Sequence, residues 1–237
     1  RELRMSRGLG DVYKRQGIVN WNAVYDTYKD YFVDQQLTTQ GALKELYQYA
    51  RYYNDLLNGT TVSDGFNRLV NNINIMGRKV VYPYLMKLLG LQEKAQLSWD
   101  EVVKITEVWQ SFLFRRTICG IPSNSLNRMV LSLLRNIKDE NELKRVTTRL
   151  LANGFPTDSQ VGEALQTLNI YGKRRDLAKL ALILLEEHRS KENIDFDDAQ
   201  VEHIMPQSLT NDWKIEVNNA EQVNKRYGGN LGNLTLT

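Results

Sequence analysis

The feature that most limits the possible fold is the spacing of apolar residues, which recur every three or four positions through most of the chain. One clear example is the series Leu43, Leu46, Tyr47, Ala50, Tyr53 and Leu57. This spacing places apolar side chains on one face of an α-helix, whereas a half-buried strand would show strict alternation. The chain is therefore predicted to be mainly helical from Ile18 to Arg189.

Two of the helix starts are marked by capping boxes, in which two side chains satisfy N–H groups that the first turn leaves free. The boxes are Ser98 to Glu101 and Thr157 to Gln160. We expect helices over about 98–118 and 157–167. Prolines and glycines interrupt the rest of the region, which is typical of a multi-helix domain with short connections.

The first sixteen residues differ from the rest because they show neither a helical nor a strand period. Their end, Asp11-Val12-Tyr13-Lys14-Arg15-Gln16, resembles the translation of a sequencing adapter. We interpret residues 1–16 as a non-native leader, with a disordered natural tail as the alternative. The remainder is predicted to divide into a helical domain at 17–192 and a second segment at 193–237.

Composition excludes some classes of protein without choosing among the others. The chain has 237 residues, a formal net charge of +3 and one cysteine. An internal disulfide is impossible, and no apolar stretch approaches the ~20 residues that a bilayer crossing needs. With no secretory leader visible, we expect a cytoplasmic protein without membrane partners. The net charge is compatible with a polyanionic partner and does not require one.

Two groups of basic residues in the helical region have competing interpretations. Arg115 and Arg116 fall in the last turn of the helix that starts near Ser98, where cations complement the helix dipole, so we favour a structural role. Lys173, Arg174 and Arg175 form a compact basic cluster. That cluster could bind phosphates or could be an ordinary solvated face, and the residues alone leave both interpretations open.

The hydrophobic pattern changes after Lys191. Val201 to Met205 is predicted to form a short strand that Pro206 ends. The segment from Gly228 to Thr237 is a glycine-rich turn followed by an alternating strand that could pair with the first. The predicted fold class is therefore mainly α, with a multi-helix domain followed by a two-stranded β-hairpin.

A histidine beside a carboxylate lies in the first of these strands. Glu202 and His203 are neighbours, so in a regular strand their side chains would point to opposite faces. They could serve one site only if the strand ends there, which Pro206 favours. The alternative is a surface ion pair on an edge strand, with Asn233 merely capping a turn.

Several motifs together resemble the C-terminal domain of GmrSD-type modification-dependent restriction endonucleases. Near the C-terminus the motifs are Glu202-His203-Ile204-Met205-Pro206-Gln207, then Trp213, then Leu231-Gly232-Asn233-Leu234-Thr235-Leu236. In the helical region they are Arg115-Arg116-Thr117-Ile118-Cys119-Gly120-Ile121-Pro122-Ser123-Asn124-Ser125 and Asn169-Ile170-Tyr171-Gly172. The motifs occur in the family's order, and the resemblance covers nearly everything after Gly17.

The resemblance implies a metal-dependent DNA endonuclease of the HNH (ββα-metal) type, working in a restriction system that defends against phages. His203 would be the general base that activates water on a phosphodiester. Glu202 would be a ligand of Mg²⁺ or Mn²⁺, and Asn233 would tie the second strand to the loop and help orient the histidine. The cluster Lys173, Arg174 and Arg175 would contact the phosphates of DNA, and the resemblance implies modified phage DNA as the substrate.

The chain departs from the family pattern at its end. In the family a helix with a further metal ligand follows the second strand, whereas this chain stops at Thr237. We therefore expect residues 193–237 to be an incomplete nuclease motif, inactive by itself, and a partner nucleotide-hydrolysing domain to lie upstream of Gly17. The alternative function is a helical scaffold that binds proteins or nucleic acids and carries a degenerate nuclease site.

Overall fold

A computed structural model of the chain describes residues 24–135, 141–190, 195–196 and 198–237. The predicted leader at 1–16 lies outside these residues. The described part is mostly helical and has one two-stranded antiparallel sheet, so the predicted fold class is confirmed. None of the described helices is long and apolar enough to cross a bilayer.

The chain forms two compact units. The first unit contains residues up to 116 and 121–155, and the second contains 117–120 and 156–237. Up to Phe155 the helices are α1 (Val24–Asp34), α2 (Thr39–Asn58), α3 (Asp64–Ile75), α4 (Tyr82–Glu93), α5 (Trp99–Ile118), α6 (Asn124–Arg135) and α7 (Glu142–Ala152). A 3₁₀ turn at Lys79–Val81 precedes α4.

From Pro156 onward, helices and strands are mixed. The elements are α8 (Asp158–Thr167), α9 (Ile170–Lys173), α10 (Arg175–Arg189), β1 (Val201–His203), α11 (Asn211–Glu216), α12 (Ala220–Tyr227) and β2 (Leu234–Leu236). A 3₁₀ turn at Leu231–Asn233 leads into β2. The strands are thus joined through two short helices rather than by a tight turn.

Both predicted capping boxes are present at the predicted helix starts. The Ser98 N–H donates to Glu101 Oε2 at 2.9 Å, and the Glu101 N–H donates to Ser98 Oγ at 3.3 Å. Thr157 and Gln160 make the same reciprocal pair before α8. Because each box satisfies two N–H groups of a first turn, it fixes where its helix begins.

The core of the first unit is rich in aromatic side chains. Tyr53 packs edge-on against Tyr82 with ring centroids 5.6 Å apart, and Tyr84 lies 5.8 Å from Trp109. Tyr82, Tyr84 and Trp109 are almost completely buried. Rings of this size bury a large apolar area each, so they supply much of the burial that stabilises the unit.

A buried carboxylate joins two helices of the first unit. Glu142, in the first turn of α7, accepts hydrogen bonds from Lys87 at 3.1 Å and Arg145 at 2.6 Å, and also from the Tyr84 hydroxyl. The Glu142 side chain is only 7% exposed. Because a buried charge is tolerated only when it is paired and hydrogen-bonded, this cluster links α4 to α7 in one arrangement.

In the second unit, α10 provides the apolar surface on which the sheet lies. Leu177, Ala178, Leu180 and Ala181 form its buried face, and both strands pack against this helix. The strands are antiparallel, with Val201 opposite Leu236 and His203 opposite Leu234. The ribbon is only three residues long on each side, so its register depends on the side chains and loops that surround it.

Candidate functional site

The first strand ends at the histidine singled out in the sequence. Within β1, Glu202 is exposed and His203 is half-buried, as expected for consecutive residues that face opposite sides of a ribbon. Beyond His203 the chain leaves the ladder, although the Ile204 N–H still donates to the Asn233 carbonyl at 2.9 Å. The strand therefore ends at His203, which is the condition under which Glu202 and His203 could serve one site.

Asn233 ties the loop after His203 to the chain just before β2. Its Oδ1 accepts from the Met205 N–H at 2.8 Å, and its Nδ2 donates to the carbonyls of Met205 at 3.0 Å and Gly228 at 2.9 Å. These three hydrogen bonds join the loop after His203 to the chain just before β2. The amide is hydrogen-bonded to main-chain groups and makes no hydrogen bond to the imidazole, so any orienting effect on His203 acts through the loop.

The neighbours of the imidazole are an aromatic ring and an amide. The Tyr171 ring lies 4.4 Å from the His203 ring, centroid to centroid, at an interplanar angle of 81°. Gln207 Nε2 is 3.4 Å from His203 Nε2. Tyr171 was not among the predicted site residues, and the signal for it in the sequence was its place in the family-like motif Asn169-Ile170-Tyr171-Gly172.

The position of Tyr171 is fixed by main-chain contacts on both sides. Asn169 caps α9 through its Oδ1, which accepts from the Gly172 N–H at 2.7 Å. The Tyr171 N–H donates to the Gly229 carbonyl at 3.1 Å, and Asn169 forms an isolated antiparallel bridge with Asn230. The start of α9 is therefore joined to the loop before β2.

Gly229 permits this close approach. A Cβ at position 229 would lie 2.0 Å from Asn169 Oδ1, so the Asn169 side chain would have to move and give up its cap on α9. Asn230, which is buried, adds a hydrogen bond from its Nδ2 to the Gln166 carbonyl at 2.8 Å. Gly229, which belongs to the predicted glycine-rich turn, thus also contacts the start of α9.

The three residues of the basic cluster have different environments. Arg174 is paired with Asp176, its Nη2 2.7 Å from Oδ2, and a hydrogen bond from Arg174 lowers the pKa of Asp176. The Arg175 guanidinium lies over the Tyr171 ring, its carbon 5.0 Å from the centroid, and Lys173 is exposed. The cluster therefore contains one arginine paired with a carboxylate and one that lies over an aromatic ring.

The predicted metal ligand is the one carboxylate on this strand. Glu202 is exposed, and no group of three His, Cys, Asp or Glu side chains suited to a metal ion occurs within the described ranges. A closed protein site for a metal is therefore not formed by these residues. Glu202 does fit a hard cation such as Mg²⁺, which commonly keeps several waters and binds through one or two carboxylates and substrate phosphates.

A groove of about 1360 Å³ opens elsewhere in the second unit. Leu165, Leu182 and Leu231 contribute apolar lining, and Met205 and Asn233 also line it. Neither Glu202 nor His203 lines it. The groove is therefore distinct from the surface on which the histidine lies, and it does not locate a substrate.

A half-buried histidine at a strand end, an exposed carboxylate and nearby cations are the groups that hydrolysis of a phosphodiester uses. Residues 155–237 are similar to the family described as GmrSD restriction endonucleases, C-terminal domain. The match covers the second unit apart from residues 117–120 and includes every predicted site residue, over about a third of the chain. No match was found among curated proteins or solved structures.

Removing the Asn233 amide should loosen the loop that follows His203. In Asn233→Ala, the Met205 N–H and two carbonyls lose their partner, and leaving buried polar groups unsatisfied costs about 1–3 kcal/mol. We expect faster hydrogen exchange at the Met205 amide and a lower urea midpoint. The control is Asn224→Ala, since Asn224 donates one hydrogen bond to the same loop, at the Pro206 carbonyl. Equal stability of the two variants would contradict the role given to Asn233.

Proposed function

We propose that the second unit is the nuclease part of a restriction system and that it hydrolyses DNA by an HNH-type mechanism. The observation that carries this proposal is the end of β1 at His203, with the following loop held by Asn233. The arrangement lies inside the segment that matches the restriction-endonuclease family. DNA is the substrate that the family implies, and we propose modified phage DNA in particular.

In this proposal His203 is the general base. The imidazole takes a proton from a water molecule, whose oxygen attacks the phosphorus of a DNA phosphodiester. The bond from phosphorus to the leaving oxygen breaks, and that oxygen gains a proton from solvent. General bases contribute about 10²- to 10⁴-fold in rate when they are held within hydrogen-bond reach of the attacking water. Tyr171 and the Asn233-bound loop restrict the motion of the imidazole.

We propose that Glu202 holds a divalent cation, Mg²⁺ or Mn²⁺. When bound, the cation would supply positive charge to the phosphate that becomes more negative during attack. One carboxylate is a weak anchor, so water and substrate phosphates would complete the coordination. For this reason we propose that the 237-residue chain cuts DNA poorly by itself and that a longer gene product supplies a further ligand.

The remaining proposals concern partners and place of action. Phosphate contact falls to Lys173 and Arg175 more than to Arg174, because Asp176 already neutralises Arg174. A nucleotide-hydrolysing domain would accompany the nuclease in the complete system. The cytoplasm would be its place of action, where incoming phage DNA is met.

The test of the proposal is the divalent-cation requirement of Glu202→Ala, measured by nicking of supercoiled plasmid with a longer gene product that contains this chain. Cleavage should stop with a chelator. Glu202→Ala should need a higher Mg²⁺ concentration and be partly rescued by excess Mn²⁺, because the variant loses one ligand. Glu216→Ala removes another exposed carboxylate and should leave the Mg²⁺ requirement unchanged. Cleavage without divalent cation would refute the proposal.

A second candidate function is an interaction scaffold with a degenerate site. It is favoured by the lack of a three-ligand group among the described residues. A scaffold would bind DNA or protein but would not cut DNA at any concentration of Mg²⁺ or Mn²⁺, even within the longer gene product. The plasmid assay therefore distinguishes the two functions.

A further inference from the structure

We propose that Tyr171 is a positioning residue that holds the His203 imidazole and the Arg175 guanidinium at a fixed distance from each other. The base and one phosphate-binding cation would then meet the same short stretch of DNA. The part that concerns catalysis rests on the proposed function. The coupling of the three side chains is a separate claim about binding and geometry, and it can be tested without any cleavage.

The distances show how close the two functional groups must be. The imidazole centroid is 4.4 Å from the Tyr171 centroid, and the guanidinium carbon is 5.0 Å from that same point. The guanidinium and the imidazole therefore cannot be farther apart than about 10 Å. At ~3.4 Å of axial rise per nucleotide, that span is about three nucleotides of one strand. Arg175 would thus contact a phosphate beside the one that is cut.

Tyr171 is suited to position other groups because its own backbone is fixed. The cap from Asn169 and the hydrogen bond to the Gly229 carbonyl hold the start of α9, and Tyr171 is half-buried. Both contacts of the ring use its aromatic surface, through cation–π attraction to Arg175 and edge-to-face packing with His203. The phenol hydroxyl is not needed, so phenylalanine should replace tyrosine.

The chain contains its own matched control for Arg175. Arg174 is adjacent and has the same charge, but its guanidinium donates two hydrogen bonds to the Asp176 carboxylate, at 2.9 and 2.7 Å. Arg175 is exposed and makes no salt bridge with a described carboxylate. If only the total charge of the cluster mattered, replacing either arginine would change DNA binding equally. The proposed role predicts a larger effect for Arg175 than for Arg174.

The binding experiment measures the affinity of the 237-residue chain for a labelled DNA duplex as a function of salt. We expect Arg175→Ala to reduce the salt dependence by about one phosphate contact, and Arg174→Ala to change it much less. Tyr171→Leu should resemble Arg175→Ala, and combining the two should add little further loss, because contacting residues are not additive. Tyr171→Phe should bind as the unmodified chain does.

The contact between the Tyr171 ring and the His203 ring can be followed by NMR. The chain has two histidines, so His188→Gln identifies the ring signals of His203. We expect Tyr171→Phe to preserve the ring-current shift of the His203 protons and Tyr171→Leu to remove it. In the cleaving protein, Tyr171→Leu should lower kcat as well as raise KM, whereas Arg175→Ala should act mainly on KM.

Two results would overturn the inference. One is an equal effect of Arg174→Ala and Arg175→Ala on the salt dependence of binding, which would reduce the cluster to unspecific charge. The other is full additivity of Tyr171→Leu and Arg175→Ala. Both results come from binding measurements and do not depend on catalysis. If the protein cut DNA without His203, the proposed function would fail. The measured coupling between Tyr171 and Arg175 would still support Tyr171 as a positioning residue.

Discussion

His203→Ala is expected to reduce DNA cleavage by about 10²- to 10⁴-fold while leaving the affinity for DNA nearly unchanged. The imidazole acts on water in the chemical step, whereas affinity comes from cations that bind phosphates. Cleavage would be measured as single-turnover nicking at saturating Mg²⁺, with affinity measured separately on an uncut duplex in Ca²⁺. The loss should therefore appear in the rate constant and not in the dissociation constant.

The control for this substitution is His188→Ala, which removes the other histidine of the chain. His188 lies in the last turn of α10, where a positive side chain interacts favourably with the helix dipole. We expect His188→Ala to lower stability by at most about 1 kcal/mol and to leave cleavage unchanged. Wild-type cleavage by His203→Ala would remove the HNH assignment and favour the scaffold.

The placement of His203 and Asn233 could be predicted from the sequence because it depends on local pattern. Pro206 ends the first strand soon after the histidine, and alternation before Thr237 marks the second. Two such segments with one buried side each can pair in few registers, so the ladder from Val201 to His203 follows. The hydrogen bonds of the Asn233 amide are consistent with the tie that the resemblance implied.

The different environments of the basic residues could not be predicted, because they depend on contacts between separate elements. Lys173, Arg174 and Arg175 are consecutive and equally basic in the sequence. Only the geometry shows Arg174 turned to Asp176 and Arg175 over Tyr171. The helices α11 and α12 were also missed. With six and eight residues, they are too short to show a helical period.

The buried carboxylate of the first unit is another feature that sequence patterns hide. Glu142 lies in the first turn of α7, where an acidic side chain is favoured by the helix dipole and is usually solvated. Its burial depends on Lys87 from α4, 55 residues away in the chain. Sequence periodicity reflects local structure and does not indicate a contact between residues so far apart, so the pairing of Glu142 with Lys87 is seen only in the structure.

Glu142→Gln is expected to destabilise the first unit by about 3–5 kcal/mol, because it leaves Lys87 and Arg145 buried without the carboxylate that balances them. Urea unfolding followed by tryptophan fluorescence in a Trp213→Phe background would measure this. The control is Glu107→Gln. Glu107 is an exposed carboxylate of α5 in the same unit, so its neutralisation should leave the unfolding free energy nearly unchanged.

The same cluster should make the stability of the first unit depend on pH in a predictable direction. Burial by itself would raise the pKa of Glu142, but hydrogen bonds from Arg145 and Tyr84 and the charge of Lys87 outweigh it and hold the pKa below its usual value. The unfolded carboxyl titrates near ~4.3, so the stabilisation is complete above that pH and is lost as pH falls through it toward the folded pKa. The difference in unfolding free energy between the unmodified chain and Glu142→Gln should therefore be constant from pH 6 to 8, values well above ~4.3, and shrink in acid. A difference that stayed constant into acid, or grew there, would show that Glu142 is not ionised in the folded protein.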